Sequence, residues 1–211
     1  MVDYGGDGVL GPVVPRFDPG APKWAVKGRV FERPTFETGR TIHWSITGTG
    51  NALVKREVLL ELGEPFNPRL GAGGEDTDFF RRAMIAKRVF VWCAEAVAEE
   101  HVPPERTRVA FQLRRALLRG KIASRGPMGD WPGTVKSAIA LLLYILVLPA
   151  CLIMGSPTFV TTLVRSCDHL GKLLATFGID LVGDDYITEA GTGAADAIHE
   201  AANSAVSRFP Q

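Results

Sequence analysis

The stretch Gly71-Ala72-Gly73-Gly74-Glu75-Asp76-Thr77-Asp78-Phe79-Phe80-Arg81-Arg82 places small residues directly before a cluster of carboxylates. Glycine permits backbone conformations that are closed to other residues, so the run 71–74 predicts a loop. Residues 75–87 predict a helix, because acids in its first turn complement the helix dipole and apolar residues recur on one face, at Phe79, Phe80, Ala83 and Met84. A carboxylate there is held ionised by free backbone N–H groups and can act as a base or metal ligand. Ordinary helix capping by acids is the alternative.

The segments around this stretch predict a mixed α/β fold. The predicted elements, in order, are a strand end at 9–15, a strand at 41–47, a helix at 52–62 closed by Gly63, a strand at 89–97 and a helix opened by Pro103-Pro104 that runs to Ser124. A glycine-containing turn at 48–51 joins the second strand to the first helix. A strand, a glycine loop and a helix therefore precede the acidic helix.

The C-terminal part is apolar and predicts a membrane-associated helical region. Residues 137–155 carry no charge and approach the roughly 20 residues that cross a bilayer core. A transmembrane helix at about 137–155 is therefore predicted, with a buried core helix as the alternative. Residues 158–179 contain four ionisable side chains, which favours an interfacial helix or a hairpin partner. The Gly/Ala-rich, acidic tail at 183–211 is predicted to be flexible.

Charge and cysteine content limit the partners. The net charge of +1 argues against a nucleic-acid partner. Basic residues concentrate before the apolar segment, so this side is predicted to face the cytoplasm at the inner membrane; they are Arg106, Arg108, Arg114, Arg115, Arg119, Lys121, Arg125 and Lys136. The same patch could also engage anionic headgroups or a diphosphate. Three scattered cysteines predict no disulfide framework.

Four motifs occur in an order that resembles one known family. They are Gly11-Pro12-Val13 with Pro15, Pro22 and Trp24; Thr49-Gly50-Asn51-Ala52-Leu53; Gly73-Gly74-Glu75-Asp76-Thr77-Asp78-Phe79-Phe80; and Glu100-His101-Val102-Pro103-Pro104-Glu105-Arg106. Over residues 8–120 the chain resembles the GT-A-fold glycosyltransferases of family 2 that build bacterial exopolysaccharides such as succinoglycan. The resemblance implies a partial GT-A fold at 1–125, its acceptor-side half, followed by membrane-associated helices at 126–182.

The resemblance also implies roles for individual residues. The catalytic base falls on Asp76, and Glu75 beside it contacts or orients the acceptor. Thr49, Gly50 and Asn51 resemble the loop beside donor sugar and acceptor, with a plain turn as the alternative. In an inverting displacement one carboxylate within hydrogen-bond reach of the acceptor hydroxyl suffices to take its proton.

Two further assignments rest on an incomplete motif and on a lone histidine. Gln112-Leu113-Arg114-Arg115 resembles the QxxRW motif of membrane glycan synthases, although Ala116 stands in the tryptophan position. Gln112 and Arg115 are therefore candidate diphosphate contacts, and a basic helix leading to a membrane is the alternative. His101 occupies a position where related folds sometimes have a metal ligand, but a structural hydrogen bond explains a lone histidine equally.

A complete enzyme of this family has a nucleotide-binding half that ends in an Asp-x-Asp motif holding a divalent cation, Mn²⁺ or Mg²⁺. Here Asp3 and Asp7 are separated by three residues rather than one, and no βαβ unit precedes them. The chain is therefore expected to be inactive alone and to need that half for its nucleotide-sugar donor, with a saccharide or lipid-linked saccharide as acceptor. The alternatives are a noncatalytic, membrane-anchored module that binds saccharide or a partner, and a truncated gene remnant.

Overall fold

The computed structural model describes residues 5–67, 70, 73–125 and 131–183. The flexible tail predicted at 183–211 lies almost entirely outside these residues. Within them the chain is mixed α/β, as predicted, with small sheets and a layer of longer helices. The elements are β1 Gly8–Leu10, β2 Val13–Phe17, α1 Lys23–Lys27, β3 Ala52–Val54, α2 Arg56–Leu62, α3 Glu75–Ile85, β4 Phe90–Trp92, β5 Ala98–Val102, α4 Val109–Arg125, α5 Trp131–Met154 and α6 Ser156–Thr176.

The first sheet has β1 at its centre, antiparallel to β3 and parallel to β4. The strand predicted at 41–47 is wrong in extent: only Thr41 forms a bridge, to Val91 of β4. Residues Trp44–Ile46 form a 3₁₀ turn instead, because the His43 side chain accepts a hydrogen bond from Ser45 N–H at 3.3 Å. A local side-chain cap therefore outcompetes the alternating pattern.

The helix predicted at 52–62 starts four residues late. Ala52–Val54 is strand β3, since Leu53 pairs with Val9 of β1, and the helix begins only at Arg56. Tertiary pairing overrides local preference in these three residues. The predicted stop is confirmed, because Gly63 adopts a φ of 68° directly after the helix.

A second, two-stranded sheet pairs β2 with β5 in parallel, from Val13 opposite Ala98 to Phe17 opposite Val102. Strand β5 was not predicted, because three of its five residues are Glu99, Glu100 and His101 and no apolar alternation marks it. The helix predicted from Pro103 begins as a 3₁₀ turn at Pro104–Thr107 and continues as α4 from Val109. This sheet places Glu100 beside Arg33 and Arg106, and His101 beside Asp18.

The acidic helix α3 is fixed by an aromatic core under the first sheet. Phe79 and Phe80 are about 1% and 0% exposed, and their rings pack edge to face at 5.0 Å between centroids. Phe80 packs in the same way on Phe90 of β4, also at 5.0 Å. The predicted buried face of this helix is confirmed, and its packing fixes the direction in which the first turn points.

Helices α4 and α6 touch backbone to backbone at two glycines. A Cβ placed on Gly171 would lie 2.2 Å from Leu117 O, and one on Gly120 would lie 2.1 Å from Asp168 O. Arg119 crosses the same contact with two hydrogen bonds to the Asp168 carboxylate, each 3.0 Å. A second core forms around the contact, with buried residues Trp24, Ala25, Ala116, Val160 and Val164.

Helix α5 begins six residues before the predicted start of the apolar segment. Among the described residues it is the one helix long and apolar enough to cross a membrane, judged by length and composition alone. It packs antiparallel on α6, with the Tyr144 and His169 rings stacked at 5.7 Å and Cys151 Sγ 3.5 Å from Thr162 Oγ1. The hairpin partner predicted for residues 158–179 is therefore what the structure contains.

The close contact of α4 and α6 at Gly171 predicts that a larger side chain there lowers the stability of the chain. Gly171→Ala should destabilise the chain by about 1–3 kcal/mol, because its methyl group meets backbone atoms that cannot rotate away. Gly183→Ala is the control, since a Cβ there meets nothing within 4 Å. Urea unfolding in mild detergent measures both, and equal stability of the two variants would contradict the close crossing.

Candidate functional site

The glycine loop before α3 is held under α4. Gly73 and Gly74 have φ values of 124° and 96°, which L side chains rarely adopt. A Cβ on Gly73 would lie 3.1 Å from Ile122 Cδ1 of α4. Gly71 and Ala72, the first two residues of the motif, lie outside the described residues. The contact fixes the acidic first turn of α3 between α4 and the rest of the domain.

Asp76, the predicted base, joins this first turn to the loop at 48–51. The Thr49 backbone N–H donates to Asp76 Oδ2 at 3.0 Å. Among the described residues no other hydrogen bond to this carboxylate is found, so Oδ1 remains available to accept a proton. Thr49 thus orients the predicted base and leaves its second oxygen open.

Asp78, two residues after Asp76, has a structural role. Burial raises the pKa of its carboxyl, but hydrogen bonds from Arg82 and Arg81 outweigh burial, so the pKa lies below its ordinary value of 3.8. Arg82 in turn donates to Glu64 O at 3.0 Å and to Pro65 O at 2.6 Å. Asp78 therefore ties α3 to the loop after α2, and the two aspartates of the motif have separate environments.

Glu75, the predicted acceptor contact, has one carboxylate oxygen in an unusual position. Its Oε2 is buried and has no hydrogen-bond partner among the described residues. A buried acceptor that lacks a donor is destabilising, and such atoms are rare in folded proteins. The residue next to Asp76 therefore has an unused hydrogen-bonding capacity.

Asn51 acts as a structural clamp for the loop that faces Asp76. Its side-chain Nδ2 donates to Pro12 O at 2.9 Å and to Ala96 O at 2.6 Å. The Gly11 N–H donates to Asn51 O at 3.1 Å. Thr49 and Gly50 therefore project from a fixed base. Thr49 contacts the acidic helix at Asp76, and Gly50 lies against Arg33.

Three arginines collect beside this loop around one carboxylate. Arg33 Nη2 lies 2.8 Å from Glu100 Oε2, and Arg106 Nη1 lies 3.1 Å from Glu100 Oε1. Burial lowers the pKa of the Arg115 guanidinium, and nearby positive charges lower it further; these belong to Arg119, Arg106 and Arg33. The group Arg33, Arg106 and Arg115, called here the arginine cluster, exceeds its single carboxylate in charge and is suited to an anion.

A small space separates Asp76 from the arginine cluster. A Cβ built on Gly48 would lie 3.7 Å from Asp76 Oδ2 and 3.8 Å from Arg33 Nη1, both ordinary contact distances. A Cβ on Gly50 would come within 2.9 Å of the same Arg33 nitrogen. The glycines therefore leave room for an atom that touches a carboxylate on one side and a guanidinium on the other.

The two predicted diphosphate contacts, Gln112 and Arg115, have different roles in the structure. Gln112 is 2% exposed and its Nε2 donates to Arg106 O at 2.7 Å, so it positions Arg106. Arg115 belongs to the arginine cluster. From the sequence, Arg106 is predicted only as part of the basic patch, and Arg33 and Glu100 are not assigned to the site. Glu100 and Arg106 are the first and last residues of the motif at 100–106. For Arg33 no local pattern gave a signal.

His101 pairs with Asp18, Nε2 to Oδ1 at 2.9 Å, and both side chains are about half exposed. In the part of the chain that the structure describes, no three His, Cys, Asp or Glu side chains converge as metal ligands. A pair is too small a donor set for Mn²⁺ or Mg²⁺, which prefer several oxygen ligands. These residues do not fit the expected cation, which remains a prediction for the nucleotide-binding half.

Comparison with known proteins found one informative relative. The succinoglycan biosynthesis protein ExoM of Rhizobium meliloti (strain 1021) is 34% identical over 128 residues. The match covers 57% of this chain and 39% of ExoM, so the chain spans about two fifths of that protein's length. No family model and no solved structure matches the chain. The match is compatible with a role in polysaccharide biosynthesis.

Substitutions of Asp76 and Asp78 are predicted to change the free energy of unfolding by different amounts. Asp78→Asn should destabilise the chain by about 1–2 kcal/mol, because Arg82 and Arg81 lose an ionised partner. Asp76→Asn should change stability by less than about 0.5 kcal/mol, since its single hydrogen bond can be accepted by the amide oxygen. Urea unfolding followed by tryptophan fluorescence at pH 7 measures both.

The pH dependence supplies the control. Because the folded-state pKa of Asp78 is below 3.8, its contribution is complete above that pH and is lost as pH falls through the folded pKa. The stability difference between the wild-type chain and Asp78→Asn should therefore shrink in acid. A difference that persists unchanged well below pH 3.8 would show that the charge of Asp78 is not the cause.

Proposed function

We propose that this chain is the acceptor-side half of an inverting glycosyltransferase of exopolysaccharide biosynthesis. It would help transfer a sugar from a nucleotide donor to a saccharide or lipid-linked saccharide. The observation that carries the proposal is the small space at Gly48, which has the Asp76 carboxylate on one side and Arg33 on the other. The relation to a succinoglycan biosynthesis protein supports the same reaction class.

The proposed chemistry needs one base, and Asp76 is placed to supply it. The acceptor hydroxyl oxygen attacks the anomeric carbon and forms the new glycosidic bond. The bond from that carbon to the nucleoside diphosphate breaks, and the diphosphate leaves with the electron pair. The hydroxyl proton passes to the Asp76 carboxylate. Thr49 N–H donates to Oδ2 and so orients the carboxylate, as a general base requires.

The arginine cluster is suited to the leaving group. Negative charge grows on the diphosphate as the bond breaks, and fixed cations that need no reorganisation stabilise such charge most effectively. Arg33 and Arg106 are held in place by Glu100, and Gln112 fixes the backbone of Arg106. We therefore assign the cluster to the diphosphate, with Arg115 as its half-buried member.

The acceptor side is assigned to the residues around Glu75. Glu75 directly precedes Asp76 in the first turn of α3, and a carboxylate accepts hydrogen bonds from sugar hydroxyls. Thr49 contacts Asp76, and the absence of a side chain at Gly50 allows close approach beside Arg33. The nucleotide and its divalent cation are assigned to a further segment.

The proposal predicts that Asp76→Asn lowers the rate of sugar transfer about 10²- to 10⁴-fold, the usual contribution of a general base. The assay uses the chain assembled with a nucleotide-binding half, a nucleotide-sugar donor and a saccharide acceptor. The matched control is Glu57→Gln, an exposed acid in the first turn of α2 and outside the site. Its activity should equal that of the wild-type assembly.

Equal transfer by Asp76→Asn and wild type would remove Asp76 as the base. Saccharide binding without transfer, unchanged in Asp76→Asn, would instead favour a noncatalytic binding module. Unfolding of the variants at pH 7 excludes loss of the fold as the cause of lost activity.

A further inference from the structure

Both ends of helix α6 are attached to the domain that contains the candidate site. Near its start, Thr161 Oγ1 donates to Gly28 O at 2.7 Å, and Val160 packs in the core with Trp24. Near its end, the Gly171 backbone lies against Leu117 of α4. Helix α6 therefore runs along the domain instead of leaving it.

Helix α5 follows α6 along this path. The contacts of Cys151 with Thr162 and of Tyr144 with His169 set the two helices antiparallel. The 24 residues of α5 extend about 36 Å at 1.5 Å per residue. The axis of α5 is thus held along the surface of the domain over a length comparable to a bilayer core.

The two ends of this hairpin are both close to the site. Gly28, at one end, is five residues before Arg33 of the arginine cluster, a reach of at most about 18 Å. At the other end, Lys121 binds Asp180 at 3.1 Å, and the next residue, Ile122, touches the glycine loop before Asp76. A helix crossing a hydrocarbon core of about 30 Å would place these ends on opposite sides of the membrane.

A charged residue on the hairpin also disfavours a crossing. Arg165 is exposed in the middle of α6. If α5 spanned the bilayer, this side chain would share its depth. Charged side chains inside the hydrocarbon are strongly unfavourable unless they face a protein interior or water.

The outer face of α5 is nevertheless apolar and uncovered. Leu146 is 76% exposed and Ile153 is 91% exposed, and further exposed side chains on the helix are Val135, Ile139, Leu142, Leu143, Ile145, Val147, Leu152 and Met154. A contiguous apolar surface of this extent marks a membrane or protein contact. Trp131 at the start of the helix is 75% exposed, a position that suits the headgroup region.

The excess of basic residues around the hairpin indicates which partner covers the apolar face of α5. From residue 109 to residue 176 there are eight Lys and Arg residues and two acids. Exposed lysines adjoin both ends of the hairpin, with Lys136 in α5 and Lys27 next to Gly28. An apolar face with cationic flanks complements anionic phospholipid.

We propose that α5 lies in the plane of an anionic membrane surface, with its apolar face sunk to the boundary of headgroups and acyl chains, and does not cross the bilayer. This replaces the transmembrane helix predicted at about 137–155. The inference rests on the contacts of α5 and α6 and not on the proposed sugar transfer.

A topology measurement separates the two arrangements. Single cysteines are added to the full chain at Ser156, the exposed first residue of α6, and at Thr35, on the exposed surface of the domain. Labelling by a membrane-impermeant maleimide is compared in sealed membrane vesicles of both orientations, with the wild-type chain as background. An in-plane helix predicts that both positions label from the same side. Labelling from opposite sides would overturn the proposal.

Vesicle binding tests the apolar face directly. Leu146→Ser with Ile153→Ser should lower the bound fraction on phosphatidylglycerol/phosphatidylethanolamine vesicles at least about tenfold, through lost apolar burial. The matched control combines Leu60→Ser with Ile85→Ser, which are 67% and 69% exposed away from the hairpin, and should bind like wild type. Binding to pure phosphatidylcholine should be weaker than to the anionic vesicles.

Equal vesicle binding by the α5 variant and the wild-type chain would contradict the assignment of α5 to lipid. If the variant has also lost self-association, a second copy of the chain covers the apolar face instead.

Discussion

The amide group of Asn51 is the constraint on which the site depends. Its two hydrogen bonds join the link between β1 and β2, at Pro12, to the segment before β5, at Ala96. The two sheets are thereby fixed to each other at the point where the loop at 48–51 emerges. A Cβ on Gly11 would lie 2.2 Å from Ala96 O, so the packing at this junction has no spare room. Thr49 can hold Asp76, and Gly50 can approach Arg33, because the base of their loop does not move.

The sequence predicted the parts of the fold that local patterns encode. Helix α3 followed from an acidic first turn and a recurring apolar face, and α5 and α6 followed from long apolar stretches. Strand β5 did not follow, because its charged residues mask alternation, and the turn at Trp44–Ile46 depends on a side-chain cap. For the site, the motif pointed to Asp76 and Glu75, whereas Arg33 enters through tertiary packing alone. Asp78 could not be separated from Asp76 by sequence, because the difference lies in the partners that Arg81 and Arg82 provide.

The helical layer connects the candidate site to the helix that we propose lies on a membrane. Helix α4 contacts the glycine loop through Ile122, contributes Arg115 to the arginine cluster and packs on α6 at Gly120 and Gly171. Helix α5 packs on α6 as the other arm of the hairpin. An in-plane α5 would hold Asp76 at a constant height above the lipid, an arrangement suited to an acceptor whose lipid end remains in the bilayer. The same layer thus supports both proposals, although each can fail without the other.

The most direct test of the central claim is the structure of the assembled enzyme with a nonreactive donor analogue and a saccharide acceptor. The distance to measure joins the acceptor hydroxyl oxygen to the nearer oxygen of Asp76. We predict a hydrogen-bond distance of about 2.6–3.2 Å, with the donor diphosphate against the arginine cluster. An acceptor bound away from Asp76, with another carboxylate at that distance, would contradict the assignment of this chain as the half that carries the base.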